Sequence, residues 1–211
     1  MAKGLFITFE GGEGSGKSLQ SRLLYDRLSH NGVDTLLIRE PGSTSIGEQI
    51  RNILLDNNNT MMNAVAECYL YAASRAQLVN EVILPAVESG KVVICDRFAD
   101  SSYAYQGYAR GLGIETVMDI NKSALGNTKA DITFFLNIKP EKGLLRRRLG
   151  SDMNRLDNET LSFHNKVYEG YIKLREMFPK RFVDINGDDT VENITGEIIN
   201  ILYSRFGSIL N

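Results

Sequence analysis

Eight consecutive residues, Gly11-Gly12-Glu13-Gly14-Ser15-Gly16-Lys17-Ser18, have the types and order of a phosphate cradle: Gly, four free positions, Gly, Lys and a hydroxyl residue. Glycines let the backbone curl so that successive N–H groups and a following helix N-terminus face phosphate oxygens. Lys17 then reaches the β/γ-phosphate region, and the Ser18 hydroxyl is a ligand for Mg²⁺. All eight residues are therefore candidate contacts for a nucleoside triphosphate. An acidic residue at the end of a neighbouring strand usually supports the metal through its water shell, and Lys91-Val92-Val93-Ile94-Cys95-Asp96 ends in one. An Asp after a buried strand is also an ordinary cap or turn residue, so Asp96 carries both readings. A guanine-specifying NKxD run is missing, because Asn121-Lys122-Ser123-Ala124 has Ala where the base-reading Asp would stand, and no DxxG switch follows a strand. A small-molecule kinase using ATP leads over a nucleotide switch or a module that only holds ATP.

An anionic acceptor needs forked donors. Arg97 directly follows Asp96, at the carboxyl edge of the expected sheet where ligands of open α/β folds collect. Two pairs occur at i,i+4 spacing, Tyr71 with Arg75 and Ser102 with Gln106, so each pair shares a helix face. A ring, a guanidinium, a hydroxyl and an amide suit a planar base with carbonyl and N–H edges. Spacing alone equally allows Tyr71 in the core and Arg75, Ser102 and Gln106 on a solvated surface.

The elements that must position these groups are legible as alternation. Strands are expected at Leu5–Phe9, Thr35–Ile38, Val92–Cys95, Ile132–Leu136 and Phe182–Ile185, and helices at roughly 17–30, 46–56, 63–89, 100–107, 114–126, 140–149, 157–177 and 190–208. That pattern implies an α/β fold with a five-stranded parallel sheet covered on both faces. With 211 residues and 43% hydrophobic content, one domain over 1–211 is the simplest reading. The stretch 146–158, where Arg146, Arg147, Arg148 and Arg155 surround Gly150-Ser151-Asp152, reads as a mobile flap with Gly150 as hinge. Net charge is −2, so the molecule as a whole has no attraction for nucleic acid or anionic membrane, and local arginines must hold any anion. Cys68 and Cys95 lack metal or redox spacing and read as buried thiols of a cytoplasmic protein, and no run approaches a membrane span.

Taken in order, these blocks resemble the bacterial thymidylate kinase family. They are Phe9 to Ser18, Arg39-Glu40-Pro41-Gly42, Tyr71-Ala72-Ala73-Ser74-Arg75, Asp96-Arg97-Phe98, Ser101 to Gly107, and Asn154-Arg155-Leu156-Asp157. The resemblance implies a three-layer P-loop fold with strand order 2-3-1-4-5, a homodimer, and ATP- and Mg²⁺-dependent conversion of dTMP to dTDP in dTTP synthesis. It also implies that Arg97 and Arg51 hold the dTMP phosphate, that Glu40 lies near it, and that Glu13 approaches the sugar 3′-hydroxyl. Tyr71 would stack on thymine, Arg75 bond O4, Ser102 and Gln106 read the remaining edge, and Tyr105 disfavour a 2′-hydroxyl. Asp96 would support the metal through water, and the Asn186-Gly187-Asp188 loop would meet adenine. Because positions 12–15 contain no Arg, the charge on the phosphoryl in flight falls to the flap, with Arg146 and Arg155 as first choices and Arg148 in reserve. The run 146–148 equally fits a solvated helix face. Tyr71 in place of Phe, Ser43 in place of a second Gly and Ser18 in place of Thr depart from the family pattern. Within kinases, a cytidylate or guanylate kinase is the alternative.

Overall fold

The computed structural model describes residues 4–150 and 153–210. Five strands, β1 (Leu5–Glu10), β2 (Thr35–Arg39), β3 (Val92–Asp96), β4 (Ile132–Asn137) and β5 (Phe182–Asn186), lie parallel in the order β2-β3-β1-β4-β5. The central strands β3, β1 and β4 are nearly continuous apolar runs because both sheet faces are covered there, while the edge strands β2 and β5 carry exposed Arg39, Asp184 and Asn186. Along β1, Phe6 points into one core while Leu5, Ile7 and Phe9 point into the other; along β3, Val93 and Cys95 oppose Val92 and Ile94 in the same way.

Helices α1 (Lys17–His30) and α9 (Val191–Leu210) close one face through Leu24, Leu28, Ile194, Ile198 and Leu202. The other face carries α3 (Ala64–Leu78), α5 (Ala99–Ser102), α6 (Ile114–Leu125) and α8 (Leu161–Met177), whose Cys68, Tyr71, Val117, Val167 and Tyr171 share a core. Between them run α2 (Ser45–Leu55), α4 (Leu84–Glu88) and α7 (Pro140–Arg148). Thr44 caps α2 by accepting from Gly47 N at 2.9 Å, and Asn63 caps α3 by accepting from Val65 N at 2.8 Å. Both cysteines are buried, and among the described residues no helix is long and apolar enough to cross a membrane.

Three local differences from the sequence expectation matter. The helix expected over 63–89 widens into a π-helical turn at Val79–Ile83 before continuing as α4. The helix expected over 100–107 is α-helical only to Ser102 and π-helical over Tyr103–Ala109. Residues 157–160 are not helical, because Thr160 caps α8 by accepting from Phe163 N, while the Asn154 side chain closes a turn on the N–H groups of Leu156 and Asp157.

Candidate active site

The register that pairs Phe9 with Asp96 brings the ends of β1 and β3 together, and everything chemical hangs from that edge. Beyond β1 the chain turns through left-handed glycines, Gly14 at φ 65° and Gly16 at φ 95°, a conformation that residues with a Cβ rarely adopt. The loop rests directly on α7: a Cβ on Gly14 would lie 1.9 Å from Gly143 O, and one on Gly143 would lie 2.3 Å from Glu13 O. Gly143 is therefore part of the cradle, although nothing at its own position in the sequence signals it. Lys17 folds back over the loop, donating to Gly12 O at 2.6 Å and Ser15 Oγ at 3.1 Å. Burial, then the nearby Arg97, bring its pKa down to about 8. Ser18 Oγ donates to Asp96 Oδ2, so a hydroxyl and a carboxylate meet beside the cradle. Among the described residues no cluster of three or more His, Cys, Asp or Glu could hold a metal. Two hard oxygen donors beside a phosphate site fit Mg²⁺, which takes few protein ligands and completes its shell with phosphate and water.

Arg97 adopts φ 70°, a left-handed conformation rare for a residue with a Cβ, while its N–H bonds Phe9 O at 3.0 Å. The guanidinium donates to Glu13 Oε2 at 2.9 Å, Gly11 O at 3.0 Å, Ser101 Oγ at 3.3 Å and Tyr171 OH at 3.4 Å, and lies 5.2 Å from the Tyr105 ring centroid. Glu13 also accepts from Tyr105 OH at 2.7 Å. Burial would raise the Glu13 pKa, but Arg97 and Lys17 overcome it and hold the carboxyl at about 2. Beneath Arg97, Glu10 accepts from Phe98 N at 2.8 Å, Ser101 Oγ at 2.6 Å and Tyr171 OH at 2.9 Å. Burial, reinforced by Asp100, pushes Glu10 up to about 7.

On the far side, Arg75 is fully buried with all its nitrogens engaged. Nε pairs with Glu40 at 2.8 Å, Nη2 donates to Ser102 Oγ at 3.0 Å and Phe98 O at 3.3 Å, and Nη1 donates to Asn121 Oδ1. Glu40, raised by burial against the pull of Arg75, stands at about 7. Asn121, at the start of a run that lacks the guanine-reading Asp, is a buried support for Arg75. Tyr71, Arg75, Ser102, Tyr105 and Gln106 line a cleft of about 310 Å³ whose other wall holds Glu13, Glu40 and Arg97. It shares Glu13, Glu40, Tyr71 and Arg97 with a larger cleft of about 1570 Å³ that includes Lys17, Ser18, Asp96, Arg51, Arg146 and Arg147. Arg51 donates to Pro41 O at 2.9 Å. Ser43, the departure from Gly, sits at φ 62°, which explains why glycine suits that position; its hydroxyl bonds the Arg39 backbone on both sides.

Within the expected flap the arginines have different partners. Arg146 donates to Gly187 O at 2.7 Å and pairs with Asp188, tying α7 to the loop after β5 while facing the cleft. Arg147 makes a bidentate pair with Asp157, at 3.0 and 2.7 Å, and also faces the cleft. Arg155 does not join them. Its Nε donates to Leu54 O at 2.9 Å and its Nη2 to Glu67 Oε2 at 2.6 Å, and Arg155, Leu156 and Asp157 are buried. The stretch 154–157 is packed rather than open because its central arginine answers a buried carboxylate; Ser151 and Asp152 lie outside the described residues.

A family model described as thymidylate kinase matches residues 9–198. The chain is 50% identical over 200 residues to the thymidylate kinase of Thermoanaerobacter sp. (strain X514), covering 95% of this chain and 98% of that one. It is 48% identical over 204 residues to that of Clostridium novyi (strain NT), covering 96% and 100%. The crystal structure of thymidylate kinase from Ehrlichia chaffeensis superposes with a TM-score of 0.78 at 29% identity, covering 95% of this chain and 100% of that one. With the cradle, the paired clefts and near-full-length similarity in agreement, the chain belongs to the thymidylate kinase family.

Proposed function

We propose that this chain transfers the γ-phosphoryl group of ATP to dTMP, forming dTDP by direct in-line transfer in the supply of dTTP. The observation that carries this reading is the adjacency of two clefts that share Glu13, Glu40, Tyr71 and Arg97: a phosphate cradle lies beside a pocket walled by Tyr71, Arg75 and Gln106. The acceptor phosphate already offers charged oxygens, so no general base is needed and catalysis reduces to alignment and charge stabilisation.

Lys17 leaves Gly12 O and Ser15 Oγ to meet the β/γ-phosphates as the loop amides fill with ligand. Arg97 and Arg51 hold the dTMP phosphate, with Glu40 close by; Glu13 turns toward the 3′-hydroxyl. Tyr71 stacks on the base, Arg75 donates to O4, Ser102 and Gln106 meet the remaining edge, and Tyr105 occupies the space a 2′-hydroxyl needs. Ser18 and, through water, Asp96 would hold Mg²⁺, which neutralises charge shared by the β- and γ-phosphates when bound. Arg146, with Arg147 beside it, stabilises the group in transfer, a role supported by the presence of both in the lining of the larger cleft. Arg155, buried on Glu67 and Leu54 and outside the cleft lining, supports the acceptor side in this arrangement and reaches the phosphoryl group only if the flap rearranges. We also read the chain as one kinase unit over 1–211 with its LID at about 146–158, cytoplasmic, and homodimeric, the last supported by exposed Met61, Val65 and Tyr69 along and before α3.

ATP consumption measured with dTMP, dUMP, dCMP, dGMP and AMP tests the reading. dTMP is expected to lead; a clear preference for a nucleotide other than thymine or uracil overturns the base assignment, and no binding of dTMP at millimolar concentration without ATP overturns the acceptor site.

A further inference from the structure

Gln106 faces the acceptor pocket, yet its amide is anchored behind it. Nε2 donates to Glu67 Oε1 at 2.7 Å, across 39 residues of sequence. Glu67 is fully buried on α3, and its two oxygens are saturated: Oε1 also accepts from Arg110 Nε at 3.3 Å, and Oε2 accepts from Arg110 Nη2 at 3.2 Å and Arg155 Nη2 at 2.6 Å. Arg110 is held in turn by Glu159 at 2.6 Å. Burial alone would raise the Glu67 pKa, but Arg110 and the bonds from Gln106, Arg110 and Arg155 bring it below its ordinary value, so the group is a carboxylate. A carboxylate only accepts hydrogen bonds. The amide group turned toward it must therefore be the NH₂, and the Gln106 carbonyl oxygen is the atom left for the pocket.

We propose that Glu67 is a specificity-determining positioning residue: by holding the Gln106 amide in one sense, it makes the pocket present an acceptor beside the Arg75 donor. Resting on the thymine reading above, this pattern matches two neighbouring atoms of the base edge. O4 accepts from Arg75, and N3–H donates to Gln106 Oε1. Cytosine reverses both positions, with an amino donor at C4 and a lone pair at N3, so a fixed Gln106 opposes it with oxygen against nitrogen lone pair. A freely turning Gln106 would not, since it could offer its NH₂ to cytosine N3. A site built to bond a particular edge rejects the wrong one because its polar groups are left unpaired.

The test measures kcat and KM for dTMP and dCMP in wild type, Glu67→Gln and the double variant Glu67→Gln with Gln106→Glu. In Glu67→Gln the two amides can pair in either sense. The ratio of kcat/KM for dTMP over dCMP is expected to fall at least tenfold through the nucleotide KM values, with the KM for ATP unchanged. The double variant restores an acceptor-only group at 106 facing a donor at 67, and should recover at least threefold of that ratio; a purely structural role for Glu67 predicts no recovery. A wild-type ratio near one overturns the thymine reading itself, whereas a high wild-type ratio that Glu67→Gln leaves unchanged overturns only the role of Glu67. If Glu67→Gln does not fold, the wild-type chain still decides. It has four glutamines, and ¹⁵N-glutamine labelling should show one side-chain NH₂, missing in Gln106→Asn, shifted downfield and protected from solvent exchange without ligand. A Gln106 amide exchanging as fast as an exposed one overturns the proposal.

Discussion

Replacing Arg155 by Ala removes the shortest donor to Glu67 and strands the Leu54 carbonyl, while Arg110 and Gln106 remain. A partly compensated buried carboxylate of this kind costs about 1–3 kcal/mol. The expected outcome is a melting temperature several degrees lower and a dTMP KM raised several-fold, with kcat changed less than tenfold. An arginine that swings onto the phosphoryl group instead requires a turnover loss of at least tenfold with dTMP affinity barely moved, so steady-state kinetics of Arg155→Ala decide between that role and support of the acceptor pocket. Asn154-Arg155-Leu156-Asp157 could be recognised as a motif, but its partner Glu67 lies 88 residues away and no local pattern announces it. Asn121, 46 residues from Arg75, was hidden in the same way. Lys17, Ser18, Asp96 and Arg97, by contrast, were legible because their chemistry depends on neighbours in sequence or on the end of an apolar strand.

At the scale of elements, close approaches of backbone to backbone set the site. A Cβ on Gly170 of α8 would stand 3.0 Å from Ala104 Cα and 3.0 Å from Tyr108 Cβ, so α8 is pressed against the π-helical segment that carries Tyr105 and Gln106. Gly170→Ala is expected to cost about 1–3 kcal/mol by overpacking and to raise the dTMP KM while leaving the ATP KM within twofold. Gly143→Ala pushes instead on Glu13 O, and should raise the ATP KM and lower kcat together by at least tenfold; calorimetry and kinetics on both variants separate the two seams. Strand existence and extent were readable to within a residue or so from apolar runs and glycine punctuation. The order β2-β3-β1-β4-β5 was not, since it came only through the family resemblance. Nor were the π turns: five residues can be apolar and helix-forming without revealing that the hydrogen bond spans one residue more.

Across the whole molecule, buried carboxyls make folding depend on proton uptake. Glu10 and Glu40 both rise from an ordinary 4.5 to about 7 in the folded chain. Between those values the folded state keeps protons that the unfolded state has released, so their stabilising contribution is full below pH 4.5 and lost as pH rises through 7. Glu13, held at about 2, works the other way and contributes only above the ordinary carboxylate range. Wild-type stability is therefore expected to decline from pH 5 to 7.5, on the order of 2 kcal/mol per raised group, and Glu10→Gln should flatten that slope when denaturant midpoints are compared across the range. An unchanged slope would mean that Glu10 is ionised throughout. Cys68 and Cys95 have a different use. Both are wholly enclosed, and burial pushes both thiols up, so neither offers a thiolate to a reagent in solution. The chain thus carries two silent clocks that start only when its core opens. In a chromogenic disulfide exchange assay they should release colour at the opening rate, and saturating dTMP should slow them by the factor that mass action sets, turning a label-free catalyst into its own stability meter.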